Sequence, residues 1–176
     1  MAQSDRVYLR RVPIREQRVL ARLMQLYLYD LSGTIGTGGA SGVTLGRYGV
    51  FPYRDPNLNH YFSDPARLPY FIECDRQMAG FALINDWSPS GQPIDRALAE
   101  FFVLRNFRRQ GVGRHAAHLA FTLHAGCWEV AVMNRNAPGL AFWSATLPAL
   151  PITGLTQIKG GPERAPDRTI FRFECR

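Results

Sequence analysis

ALAEFFVLRNFRRQGVG, running from Ala97 to Gly113, is the stretch on which the fold turns. Its first part, Ala97 to Leu104, is the most apolar strand candidate in the chain. A strand that reads apolar on both faces belongs in the middle of a sheet. Its second part carries Arg108, Arg109, Gln110, Gly111, Val112 and Gly113 into a helix. The spacing of Val112, Ala116, Leu119, Ala120 and Leu123 predicts one apolar helix face that ends near Ala125. A strand that turns through glycines into a helix makes an anion site. Glycine lets the backbone approach a ligand, and the helix N-terminus offers N–H donors without partners and a dipole that favours negative charge. Arg105, Arg108, Arg109 and Arg114 add cationic charge to the same turn, which suits a pyrophosphate. The alternative is an ordinary tight strand-to-helix turn.

Upstream, Arg6 to Val12 alternates arginine and apolar positions as a half-buried strand does, and Pro13 ends it. From Ile14 to Leu31, the recurrence of Val19, Leu20, Leu23, Leu26, Tyr27 and Leu31 predicts an amphipathic helix that stops before Ser32-Gly33. Gly33 to Gly49 holds seven glycines in seventeen residues and reads as loop, with a short helical turn expected near Leu58 to Phe62. Loops this long inside a compact domain often line sites, and Asp30, Asp55, His60 and Asp64 border this one. Tyr70 to Cys74 and Met78 to Asn85 form a predicted hairpin. After the central strand and its helix come a strand at Trp128 to Met133 and a short helix at Pro138 to Leu147. A closing pair at Gly154 to Lys159 and Thr169 to Cys175 completes the chain. There are no internal repeats.

The chain has 176 residues, 46% of them hydrophobic and 20% charged, which suits one domain over 1–176 with its own core and excludes disorder. No apolar run approaches a membrane span, and MAQSDRVYLRR lacks the apolar core of a signal peptide, so a cytoplasmic protein is expected. Cys74, Cys127 and Cys175 are odd in number and far apart, so free thiols are expected. His115 and His118 share a helix at i, i+3, but no carboxylate or cysteine completes a ligand set, and no metal is expected. The net charge of +7 attracts anions. Its arginines are dispersed, with no run of five cations, so nucleic acid ranks last among the partners.

Two phosphate loops compete for the glycine turn. The P-loop is excluded, because its motif is absent and Lys159 is the sole lysine. Gly111-Val112-Gly113-Arg114-His115-Ala116 fits the dinucleotide pattern G-x-G-x-x-A with Glu129 downstream, but it follows an antiparallel hairpin and has no room for tandem βαβ units. The better match is to the GNAT superfamily of acyl-CoA-dependent N-acyltransferases. Arg108-Arg109-Gln110-Gly111-Val112-Gly113 meets its signature Q/R-x-x-G-x-G/A, and Asn136-Ala137-Pro138-Gly139-Leu140-Ala141-Phe142-Trp143 resembles its N-x-x-A-x-x-F-Y stretch. YLYDLS at Tyr27 to Ser32, taken with Ala99 to Gly113, looks like a bacterial group of acetyltransferases.

The resemblance implies an α/β fold: a largely antiparallel mixed sheet of six or seven strands with about four helices, splayed between the fourth and fifth strands. It further implies acetyl-CoA as co-substrate. Its pantetheine would run along Phe101, Phe102, Val103 and Leu104, with the Val103 N–H polarising the thioester. The pyrophosphate would lie on Arg108 to Gly113 and Arg114, and Asn136, Phe142 and Trp143 would contact the cofactor. Trp143 stands where many relatives have a proton-donating tyrosine, and indole N–H is not an acid. That leaves solvent, Tyr61 or Tyr70 as donors. Glu100, the carboxylate within the apolar strand, is the candidate base, although strand parity puts it and Val103 on opposite faces unless a bulge intervenes. The acceptor is expected to be a small-molecule or peptide amine. A non-catalytic acyl-CoA-binding module is the second reading. A homodimer paired through TIFRFEC is expected by analogy.

Overall fold

The apolar stretch forms β4 (Arg96–Val103), and it lies in the middle of a seven-stranded sheet. The structure, a computed structural model, describes residues 6–35, 44–51, 58–161, 163 and 165–176. The other strands are β1 (Val7–Arg11), β2 (Leu68–Cys74), β3 (Gln77–Asn85), β5 (Gly126–Met133), β6 (Ile152–Lys159) and β7 (Arg168–Cys175). The helices are α1 (Gln17–Ile35), the four-residue α2 (His60–Ser63), α3 (Val112–Leu123) and α4 (Ala137–Thr146). The strand order is β1-β2-β3-β4-β5-β7-β6, antiparallel throughout except for β4 and β5, which are parallel.

Side chains alternate between the two faces of a sheet, so each strand contributes to two cores. Phe71, Phe81, Leu83 and Phe102 pack under Leu20, Met24 and Leu28 of α1. Ala82, Ile84, Leu98, Trp128, Val130 and Phe171 pack against α3 and α4 on the other face. Trp128, Phe81 and Phe121 are fully buried, and each contributes about 1.5–3 kcal/mol through removal from water. In α1 the buried stripe is Leu20, Leu23, Met24, Leu28 and Leu31, whereas Val19 and Leu26 are exposed, which corrects the apolar set read from the sequence. Helix α1 also runs on through Ser32 and Gly33. Glycine costs a helix about 1 kcal/mol, which does not forbid it, and the Ser32 hydroxyl donates to the Tyr29 carbonyl at 2.7 Å. Residues 36–43 of the glycine-rich tract lie outside the described residues.

Two irregularities place the site. First, β4 and β5 pair only at Arg96–Trp128, Ala97–Glu129 and Leu98–Val130. Beyond Leu98 the two strands part. Second, Leu83 faces Glu100 while Ile84 faces Leu98, so Ala99 is an extra residue bulged out of β4. The bulge sets Leu98 and Phe101 on the α3 face and turns Glu100 with Phe102 toward α1. It lies before Glu100, so Glu100 and Val103 remain on opposite faces.

The expected dimer contact through TIFRFEC is corrected by the topology. That segment is β7, whose edges are taken by β5 and β6, so it has no free edge to offer a second chain. Cys74, Cys127 and Cys175 are free thiols. Among the described residues, no helix is long and apolar enough to cross a membrane, and no three His, Cys, Asp or Glu side chains gather as a metal-binding group.

Candidate active site

The parting of β4 and β5 opens a cleft of about 1330 Å³ lined from both faces of the sheet. On the α3 side lie Arg109, Gly111, Gly113, Arg114, Asn136 and Phe142, and on the α1 side Tyr27, Asp30, Glu100 and Arg168. The cleft therefore passes through the sheet.

The α3 side is built from the glycine turn. Gly111 caps α3 with φ of 81°, in the left-handed region where glycine carries no steric penalty. No side chain caps this helix, so its first amides keep their N–H groups for another acceptor. The His115 N–H, bonded to the Gly111 carbonyl at 3.0 Å, is where the regular ladder begins. A Cβ on Gly113 would meet two ring carbons of Phe142 at 3.2 Å and Val103 Cγ2 at 3.6 Å. The turn is thus a cradle that a larger residue would fill. Among the described residues, no carboxylate lies in ion-pair reach of Arg109 or Arg114.

The Arg108 side chain turns back onto the protein at the wall of the cleft. Its Nη2 pairs with Asp30 at 2.6 Å, its Nε donates to the Val103 carbonyl at 2.7 Å, and its guanidinium lies 5.6 Å from the Phe102 ring. Arg105 Nε also bonds Asp30, at 2.6 Å. Burial alone would raise the Asp30 carboxyl, but the hydrogen bonds from Arg108 and Arg105 outweigh it and hold the group below its ordinary value. Asp30 thus ties α1 to the start of the glycine turn.

Antiparallel pairing decides which amides of β4 face the cleft. The Leu104 N–H bonds the Ala79 carbonyl at 2.8 Å, so Leu104 and Phe102 turn their polar groups toward β3. By alternation, Phe101 and Val103 turn theirs toward the edge that β5 leaves uncovered. The side chains of Leu104, Gln110 and Val112 do not line the cleft. Leu104 packs beneath α1, Gln110 donates to the Asn106 carbonyl at 2.7 Å, and Val112 is buried in a third core cluster. Gln110 and Val112 border a smaller cavity of about 340 Å³ with Arg6 and His118.

In α4, the Asn136 Oδ1 accepts from the Gly139 N–H at 3.0 Å, so this side chain caps the helix while lining the cleft. Phe142 stacks on Phe101, with ring centroids 6.0 Å apart. Trp143 is buried among Phe101, Phe121 and Phe142, so its principal role is packing.

On the α1 side, Tyr27 and Glu100 meet. Burial, followed by the adjacent Glu100 carboxylate, raises the Tyr27 hydroxyl well above its ordinary value, with Arg168 opposing, so the phenol stays protonated at neutral pH. Tyr61 and Tyr70, the donors considered from sequence, are not cleft residues. Tyr61 is buried beside Asn85, and the Tyr70 hydroxyl bonds His124 Nε2 at 2.9 Å. Tyr27 and Arg168 were missed. Tyr27 hides in the apolar stripe of α1, and Arg168 opens β7, where no motif marks it. His60 and Asp64 lie at α2, outside the cleft lining, and Asp55 lies outside the described residues. Glu129 is no ribose ligand. It is buried, bonded by Arg172 Nη1 at 2.8 Å and by the Ser90 backbone N–H at 3.0 Å, and it anchors the β3–β4 connection.

Residues 43–146 match the model of the acetyltransferase (GNAT) family. The chain belongs to that family. Its fold is similar to that of an acetyltransferase from Thermus thermophilus, with 16% identity, a TM-score of 0.63, and coverage of 99% of this chain and 100% of the other. It is also similar to RimL, the ribosomal L7/L12 α-N-protein acetyltransferase, in its complex with coenzyme A, at 13% identity and TM-score 0.57, covering 97% and 95%. A protein from Bacillus anthracis str. Ames in complex with acetyl-CoA gives 12% identity and TM-score 0.50, covering 95% and 96%. No curated protein sequence matches the chain.

Proposed function

We propose that this chain is an N-acetyltransferase that moves the acetyl group of acetyl-CoA to an amine by direct attack within a ternary complex. The observation that carries the reading is the cleft through the sheet, with an uncapped helix N-terminus on one side and a carboxylate on the other. Acetyl-CoA supplies an activated acyl thioester. The amides from Gly111 to Arg114, with the Arg109 and Arg114 guanidinium groups, hold its pyrophosphate. The Phe101 and Val103 edge and Asn136 receive the pantetheine arm, and Phe142 packs along it.

In this reading the Val103 N–H donates to the thioester oxygen as negative charge develops there, a preorganised interaction worth about 3–4 kcal/mol in comparable sites. Glu100 accepts the proton that the amine gives up, directly or through water. The C–N bond forms, the C–S bond breaks, and the departing sulfur takes a proton from solvent. Trp143 has no acidic hydrogen to give it, and the raised Tyr27 hydroxyl is a poorer acid than a thiol. Tyr27 instead orients the Glu100 carboxylate.

Thermal unfolding with and without acetyl-CoA, paired with an assay of thiol release against a panel of amines, tests the reading. Saturating acetyl-CoA at ~100 times its Kd adds about 2.7 kcal/mol, which raises Tm by several degrees. The expected outcome is that rise together with amine-dependent thiol release. Stabilisation with no release against any amine identifies a non-catalytic acyl-CoA-binding module, and neither effect overturns the cofactor assignment as well.

A further inference from the structure

The acceptor end of the cleft has a charge pattern of its own. Arg168 and Met133 are paired residues of β7 and β5, so their side chains share a face. Val130 and Val132 face α3 and α4, which turns Met133, and Arg168 with it, toward α1. Glu100 faces the same way because of the bulge at Ala99. Tyr27 of α1 lies with them, and the Arg168 charge is felt at its hydroxyl. Three side chains from distant parts of the chain thus border one end of the cleft, a carboxylate on the β4 bank and a guanidinium on the opposite bank.

The position of Arg168 is fixed by its neighbours. Asp167 accepts from Asn134 Nδ2 at 3.1 Å and pairs with Arg135 at 3.6 Å, while the Thr169 hydroxyl donates to Asn134 Oδ1 at 2.9 Å. The turn that leads from β5 into α4 is therefore clamped on both sides of Arg168. Among the described residues, no carboxylate lies in ion-pair reach of the Arg168 guanidinium. The glycine turn lies on the opposite face of the sheet and has Arg109 and Arg114 for its own anion, so Arg168 is not needed there.

We infer that the acceptor is an amine that carries its own carboxylate, an amino acid, with its amine at Glu100 and Tyr27 and its carboxylate on Arg168. Among the described residues that line the cleft, Arg105 and Arg108 are engaged by Asp30 and Arg109 and Arg114 lie at the glycine turn, which leaves Glu100 and Arg168 as the charges of the acceptor end. Such a site attracts a zwitterion whose two charges meet opposite partners. The inference rests on the N-acetyltransferase reading for the reaction but not for the binding.

The test uses the full chain, with free amino acids compared against their carboxamides, which keep the amine and lose the anion. In the wild type, kcat/KM is expected to favour the acids by tenfold or more. Arg168→Gln is expected to abolish that preference by raising KM for the acids, with kcat and the carboxamide rates little changed, and Arg168→Lys to retain part of it. Equal rates for acids and carboxamides in the wild type, or an equal loss for both in Arg168→Gln, overturns the inference. If no amine is turned over, calorimetric titration of the same amino acids into the protein saturated with CoA decides the matter. Binding that Arg168→Gln abolishes supports the carboxylate site while the catalytic reading fails, and no binding overturns the inference. Retention of the acetyl-CoA thermal shift in both variants shows that they are folded.

Discussion

The two ends of the cleft are made of different materials. In the proposed reading, the recognition groups at α3 are backbone amides, held at the start of a 12-residue helix by glycines at 111 and 113. At α1 they are the tips of Tyr27, Glu100 and Arg168, which reach one place only through sheet register and a bulge. Backbone recognition depends on what is absent, a Cβ or a cap, and tolerates change elsewhere in the fold. Side-chain recognition depends on what is present, and one substitution can redirect it.

The sharpest way to break this comparison is Glu100→Gln. The proposed base is expected to account for a 10²–10⁴-fold rate contribution, typical of general base catalysis. Amine-dependent thiol release should therefore fall by that order while the acetyl-CoA thermal shift is unchanged. A variant that loses both effects would show that the two ends are not separable.

Asp30 joins the ends, and Asp30→Asn measures how firmly. Because Asp30 titrates below its ordinary value when folded, its contribution is present above the ordinary carboxylate range and is lost as pH falls through the lower, folded pKa. Urea unfolding at neutral pH should show a loss of about 1–2 kcal/mol in the variant, after allowance for solvent screening of the half-exposed Arg108. The difference from wild type should close as pH falls below the ordinary carboxylate range and through the lower, folded pKa of Asp30. A difference constant across that range would detach Asp30 from the ion pairs. Arg105, whose side chain is 74% exposed, is the weak member of the trio, and Arg105→Ala should change stability by no more than about 0.5 kcal/mol in the same urea experiment.

What was legible in the sequence follows the same division. The central strand, the glycine turn and the helix after it are local patterns, and each appears at its expected place within a few residues. The α1 end was not legible in that way. Glu100 stood out as a carboxylate in an apolar strand, but its face depends on the bulge at Ala99, which only pairing with β3 reveals. Tyr27 occupies a position in the apolar stripe of α1 that a core residue would also fill. Arg168 looked like one of many dispersed arginines until β7 was set beside β5. The pairing of Arg108 with Asp30 was not legible either, because Asp30 comes from a helix far upstream.

The central claim is that the α3 turn holds the cofactor through backbone approach at glycine. Calorimetric titration of acetyl-CoA into wild type and Gly113→Val tests it most directly. A valine there would drive its branched side chain against Phe142, whose ring already lies 3.2 Å from where a Cβ would sit. Saturable binding to the wild type and none to a folded Gly113→Val is the predicted result. Equal affinity in both proteins would contradict it.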